Sequence, residues 1–372
     1  MAGSPPQDVH LRCAKAAQDV PEPVLHPVIT PHSGGIINTA ANWNDILVRD
    51  NFPDVGQTPT SNPVWESPDI IPFGSDILDF DLLESSYGGP DLGVGHPVVH
   101  GALNRIYVRG KNLRTGCPAS GDVRLYYAPG GLLLDPRAWT PIPAEGGGTT
   151  VPFTVRGGGR EVPPGQICVS RSAFVWPSEL PPGHYCMIAT VDTPAHPMPP
   201  RLPTFSSLVD YLNWVRYNPN VGWRNIDVIP CQRTRYVLSD LAVVNLNDTP
   251  TRFVFGVSGT DLPAGTATFS NTDQQAPFSL TAQIYPPGTD EGYTRSVLLP
   301  ANYSGTVTVA VQFDQPLPCD ARIVLRAYNP VTRNAGTRER RLAVPLTGVP
   351  ETADALFLEL GAYTFVAASG SP

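Results

Sequence analysis

Two histidines stand four residues apart in His96-Pro97-Val98-Val99-His100. On a helix that spacing offers two metal ligands on one face, as in H-E-x-x-H. Here Pro97 replaces the glutamate and glycines surround the pair, so the segment reads as a loop carrying two imidazoles. The acidic residues Asp76, Asp79, Asp81 and Glu84 could give hard oxygen ligands to calcium. They lack the spacing and the glycine of an EF-hand, and Ile77, Leu78, Phe80, Leu82 and Leu83 interleave them. The expectation is a segment docked on a sheet with its carboxylates outward, with calcium binding as the alternative.

Nucleophiles, bases and phosphate cradles fare no better. No G-x-S-x-G, P-loop or G-x-G-x-x-G lies between a strand and a helix. Gly157-Gly158-Gly159 follows a strand-like stretch but precedes Arg160-Glu161-Val162-Pro163-Pro164, so no helix N-terminus is there to receive a phosphate. Nothing places a serine, a histidine and a carboxylate together. No catalytic residue, metal or cofactor is therefore assigned. The six cysteines include no C-x-x-C, which gives no support to a zinc ribbon or thioredoxin-like site. Cys168 and Cys186, on neighbouring expected strands, are the pair for which a disulfide is considered. It would contribute about 3 kcal/mol in the chain-entropy model. The other reading is two buried free thiols.

Arg338-Glu339-Arg340-Arg341 is a short basic run on an expected strand, and reads as charge guarding a sheet edge. Nucleic-acid binding would need a wider basic surface, and the chain carries 25 Lys and Arg against 33 Asp and Glu, a net charge of −8. Asn247-Asp248-Thr249 and Asn302-Tyr303-Ser304 match the glycosylation sequon, which is read as chance. Six tryptophans could line a carbohydrate platform, but on strands they serve as core or interface anchors, and carbohydrate stays unsupported.

The elements that must position these residues are strands. The chain has 372 residues, 43 prolines, 34 glycines and 41% hydrophobic residues. That mixture suits many short strands cut by tight turns. Thr306 to Phe313 alternates, with Val307, Val309, Val311 and Phe313 on one face, as in a half-wet antiparallel strand. Arg105 to Gly110 puts Ile106 and Val108 on one side and Tyr107 and Arg109 on the other. One helix is expected over 205–217, where Leu208, Tyr211, Leu212 and Val215 recur at helical spacing, with Thr204 or Ser206 as its cap. The stretch Val221 to Pro230 is read as closing one β-domain and leading into a second. The tail 355–365 is apolar enough for a last strand or a short helix. No apolar run reaches the roughly 20 residues of a membrane span. Met1-Ala2-Gly3-Ser4-Pro5-Pro6 lacks the basic start and apolar run of a signal peptide. An extracellular or particle-associated protein would then need another export route, and a cytosolic location stays open.

Five short pieces share an order with a known module. They are Asp45-Ile46-Leu47-Val48-Arg49-Asp50; Trp65-Glu66-Ser67-Pro68-Asp69-Ile70; Asn104 to Asn112; His184 to Ala189; and Asn220 to Ile226. Over about residues 45–230 the chain resembles the CARDB-type, immunoglobulin-like adhesion modules of bacterial exported or surface proteins. The resemblance implies a non-catalytic module that accompanies peptidases, other hydrolases or adhesins. Gly110 departs from the usual Val-Arg-Val-x-Asn pattern.

The expected fold is mostly β: two tandem immunoglobulin-like β-sandwich domains with an extended N-terminal arm. The arm spans 1–40 and a loop-rich segment, 41–97, packs on the first sandwich. The first sandwich spans 98–230 and the second 231–346, followed by a tail, 347–372. The expected function is structural or adhesive, through a protein partner or self-association. The alternatives are a structural component or cargo of a phage-like or contractile injection particle, and an accessory to a secreted hydrolase.

Overall fold

In a computed structural model the described residues are 41–60, 64–77, 79–88, 102–132, 135–177, 179–180, 185–199, 202–286, 291–319, 321–331, 340, 343–346 and 356–368. The proposed arm over 1–40, His96 and His100, and all of 338–341 except Arg340 lie outside them. The described chain is mostly strand, with two short α-helices.

The first half holds β1 (Ala41–Asn42), β2 (Ile46–Leu47), β3 (Gln57–Thr58), β4 (Ile70–Pro72), β5 (Arg105–Asn112) and β6 (Asp122–Pro129). It continues with β7 (Thr140–Pro141), β8 (Val151–Thr154), β9 (Ile167–Ser170), β10 (Phe174–Val175), β11 (Tyr185–Asp192) and β12 (Val221–Arg224). Ten of these form one sheet along the path β10-β5-β9-β8-β6-β11-β12, with β2 and β4 also on β5 and β7 on β6. The described part of the loop-rich segment thus contributes β2 and β4 to the sheet itself. Its Ile46, Leu47, Ile70 and Ile71 are buried, which is why a weakly alternating stretch becomes strand once a neighbour supplies the ladder.

β5 is covered on both faces. Ile106 and Val108 join one core, while Tyr107 packs with Ile71, Phe73, Val169 and Leu83 of α1 (Phe80–Ser85) on the other. Gly110 is required there. A Cβ would lie 2.9 Å from Ile46 Cγ2 and 3.4 Å from Cys168 Sγ, so β2 could not approach.

The second half holds β13 (Ile226–Pro230), β14 (Arg235–Val244), β15 (Thr251–Thr260), β16 (Gly265–Asn271), β17 (Phe278–Ile284) and β18 (Gly292–Tyr293). Then come β19 (Val297–Leu299), β20 (Ser304–Phe313), β21 (Arg322–Val331), β22 (Val344–Pro345) and β23 (Leu356–Ala368). A seven-stranded sheet runs β13-β23-β21-β15-β18, with β19 on β15 and β22 on β23. A four-stranded sheet runs β14-β20-β16-β17. The two share a core in which Phe255 of β15 stacks on Phe269 of β16 at 5.1 Å. On β20 the buried residues are Val307, Val309, Val311 and Phe313, the side that its alternation marks. Burial of such side chains stabilises by about 1.5–3 kcal/mol each.

The tail is not an appendage. β23 is a thirteen-residue strand held between β21, antiparallel, and β13, parallel. Of the two forms expected for the tail, a last strand or a short helix, it takes the strand, with Phe357, Leu358, Leu360, Tyr363 and Phe365 buried in their own chain.

Between β12 and β13 stands one residue, Asn225, itself 1% exposed. Its side chain donates to Gly131 O (2.9 Å) and Ala362 O and accepts from Cys186 Sγ. Its backbone bonds Trp65 O (2.8 Å) and Thr364 N (2.9 Å). One buried amide therefore ties the ten-stranded sheet to the seven-stranded one. Above it α2 (Leu208–Arg216) begins at Ser207, one residue past the expected cap Ser206, and Ser207 Oγ accepts from Asp210 N at 3.1 Å. Trp214 of α2 packs on Trp139 and Trp223 with centroids 6.0 Å away in each case.

Candidate functional site

A buried charge cluster is built on β2, β4, β5 and α1. Pairing of Ile70 with Val108 sets Asp69 beside Arg109, whose N–H donates to Asp69 O at 2.8 Å. The Asp69 carboxylate is fully buried. It accepts from Arg49 N (3.0 Å), Nε (2.9 Å) and Nη2 (2.7 Å), and from Arg109 Nε (2.9 Å). Arg109 donates onward to Leu83 O (2.6 Å), Ser86 Oγ (2.9 Å) and Pro68 O (3.1 Å). Arg49 donates to Tyr87 O (2.9 Å), and its guanidinium lies 3.6 Å from the Tyr87 ring centroid. Every Asp69 carboxylate oxygen is engaged by fixed donors, so the cluster clamps three strands and the end of α1.

Next to it, Asp50 is fully buried, and among the described residues neither carboxylate oxygen has a hydrogen-bond partner. Burial, with the Asp54 charge beside it, pushes the Asp50 carboxyl well above its usual range. The Thr60 hydroxyl lies close enough to offset part of that rise, while also reaching Gln57 O at 3.5 Å.

A histidine and a carboxylate do meet. Asp45 Oδ2 lies 2.7 Å from His196 Nδ1, Thr193 Oγ1 donates to the same oxygen, and Arg114 Nη2 is 3.2 Å from Oδ1. Burial would raise the Asp45 carboxyl, but the hydrogen bonds from His196 and Thr193 and the Arg114 charge together hold it below its usual value. The Trp43 ring covers the imidazole at 4.1 Å. A dyad of this kind orients a general base when a hydroxyl sits on the other ring nitrogen. Here the hydroxyl bonds the carboxylate, and among the described residues no hydroxyl or thiol bonds Nε2. The arrangement fastens the 193–196 turn to the start of β2. The sequence offered no signal for it, since the partners are 151 residues apart.

Where the two halves meet there is a cavity of about 20 Å³ lined by Trp65, Leu132, Tyr211, Trp223, Asn225 and Glu359, among others. That is the room of about one water molecule, far below the roughly 300 Å³ at which small-molecule sites begin.

The sequence-predicted candidates do not converge. Asp79 caps α1, accepting from Leu82 N at 3.0 Å, while Asp81 and Glu84 pair with Arg156 at 2.5 and 3.2 Å. Asp76 is exposed before the helix. Among the described residues no three His, Cys, Asp or Glu side chains are grouped as a metal would need. Cys168 and Cys186 form no disulfide; of the two readings, it is the buried free thiols that the structure shows. Cys168 lies against β5 near Gly110, and Cys186 against Asn225, so each faces its own neighbour. Burial pushes both thiols up. The bridge instead joins Cys231 and Cys319, and Cys117 is also disulfide-bonded. The predicted glycine loops are turns, with Gly146, Gly147, Gly148, Gly157 and Gly158 all at positive φ. Trp65, Trp139, Trp176, Trp214 and Trp223 are buried, so they are anchors and no platform.

Among the described residues no helix is long and apolar enough to cross a membrane. No protein-family model matches the chain, and no curated protein matches it.

Proposed function

We propose that this chain is a non-catalytic structural or adhesive β-sheet protein that works by binding proteins, copies of itself included. The observation that carries this reading is what the buried ionisable groups do. Asp69, Asp45 and His196 are each engaged in joining one segment to another, and the cavity between the halves has room for one water. Contact through sheet edges and surface loops is what such a frame offers. Large apolar side chains stand out on it, Val55 at 73% and Ile77 at 76% exposure. The CARDB-type, immunoglobulin-like likeness of residues 45–230 and a setting outside the cytoplasm, free or on a particle, belong to the same proposal.

The test is the purified full chain, measured by light scattering and negative stain at tens of micromolar and screened on peptide, ester and glycan substrates. Assemblies larger than a monomer, with no turnover, are expected. Turnover that disappears in His196→Ala would overturn the non-catalytic reading. A monomer at every concentration would remove self-association from it.

A further inference from the structure

The four-stranded sheet has two edges, and they are finished differently. At β14 the edge is guarded. Its ladder to β20 is broken by a bulge between Leu238 and Leu241, with Asp240 in the left-handed region at φ 62°. Arg235 and Asp240 put charge along it. Its far end is occupied by the first half of the chain, Ala242 N donating to Gly130 O (2.7 Å) and Leu132 N to Ala242 O (2.9 Å). Bulges, charges and a covering segment are the devices that stop an edge from pairing with another chain.

The other edge, β17, has neither bulge nor charge, and among the described residues only one end of it is covered. Phe278-Ser279-Leu280-Thr281-Ala282-Gln283-Ile284 carries no charge, no proline and no bulge, and pairs with β16 alone in unbroken register. Among the described residues no backbone hydrogen bond is made on its outer side. Gly292 of β18 lies against the Gln283 carbonyl and covers that end. The open part is therefore Phe278 to Ala282. Ser279 and Thr281 are exposed on the outer face, and Phe278 and Leu280 are half-buried on the inner one.

We infer that β17 pairs antiparallel with β17 of a second copy, about a two-fold axis at Leu280. This rests on the self-association proposed above and names its surface. An isologous contact must be self-complementary, and this strand is. Centred on Leu280, Phe278 faces Ala282 of the other copy, a large side chain against a small one. Leu280 faces Leu280, and Ser279 faces Thr281, hydroxyl against hydroxyl. Apolar positions meet apolar positions on the inner face, polar meet polar on the outer, and no like charges oppose one another. The half-buried Phe278 and Leu280 lose their remaining water, and the free N–H and C=O groups gain partners. Five residues a side make a small contact, so association is weak and concentration-dependent.

The register dictates the test. In Ser279→Lys/Thr281→Lys, lysines oppose each other twice across the axis. In Ser279→Lys/Thr281→Glu, each lysine faces a glutamate. Both substituted positions are exposed in the single chain, so both variants fold, which circular dichroism checks. Light scattering on the full chains from ~10 µM to ~1 mM should show the wild type rising from 39.9 kDa towards twice that mass. The double lysine variant should associate about tenfold more weakly or less, and the lysine–glutamate variant at least as well as the wild type. Association of the double lysine variant equal to the wild type would overturn the β17 contact while leaving self-association standing. A wild type that stays monomeric throughout would overturn both.

Discussion

Replacing Asp69 by asparagine removes one charge and keeps the shape. Four N–H donors converge on the carboxylate, three from Arg49 and one from Arg109. The two arginine side chains are 5% and 3% exposed, and that of Asp69 is 0%. An amide in place of the carboxylate would leave two buried cations without a counter-charge and would turn N–H groups towards arginine donors. Loss of one partner from a buried pair destabilises by about 3–5 kcal/mol. With a urea slope of about 3 kcal/mol per molar, the midpoint falls by about 1–1.7 M. Equilibrium unfolding followed by tryptophan fluorescence reads this, because Trp65 and Trp223 are buried beside the clamp's strands. The control is Asp122→Asn, whose partner Arg160 is 2.8 Å away but whose side chains are 42% and 56% exposed. It should change stability by less than about 1 kcal/mol. The variant Arg49→Met/Asp69→Leu/Arg109→Met, which removes all three charges, should recover most of the loss. An Asp69→Asn protein within about 1 kcal/mol of the wild type would refute the clamp.

Asp50→Asn should act in the opposite sense. The folded carboxyl holds its proton to higher pH than the unfolded one, so wild-type stability falls as pH rises above the unfolded value near 4. The variant should be more stable than wild type at neutral pH, and the difference should vanish below about pH 4, as thermal melts across pH will show. Cys231→Ser/Cys319→Ser opens a bridge spanning 88 residues and should lower stability by about 4–5 kcal/mol. In the native protein Cys168 and Cys186 should resist alkylation, and mass mapping should find them modified only after unfolding. Truncation after residue 355 removes β23 from between β13 and β21. It should give an insoluble or molten product by circular dichroism and dye binding, whereas a cooperative melt would contradict the central place of that strand.

Local patterning settled a good deal. The alternation in β20, the helical spacing of Leu208, Tyr211 and Leu212, and the glycine turns at 146–148 and 157–158 each follow from the residues within ten positions, because strand pleat, helix pitch and left-handed φ are local properties. The stretch Val221 to Pro230, read as closing one set of strands and leading into another, runs from β12 of the ten-stranded sheet across Asn225 into β13 of the seven-stranded one.

What decided the rest was which distant segments touch. Arg109 alternates like a solvent-facing residue, yet α1 and Asp69 bury it, since helix and strand come together over the outer face of β5. Asp45 finds His196 across 151 residues, and Asn225 reaches Ala362 across 137. The cysteine pairing followed the path of the chain rather than sequence proximity, with Cys231 meeting Cys319 and the nearer Cys168 and Cys186 held apart. β23 becomes a central strand only because β13 and β21 leave a gap of one strand between them. A ladder, an ion pair and a disulfide each depend on distances of a few ångströms between residues far apart in sequence, and only the folded chain sets those distances.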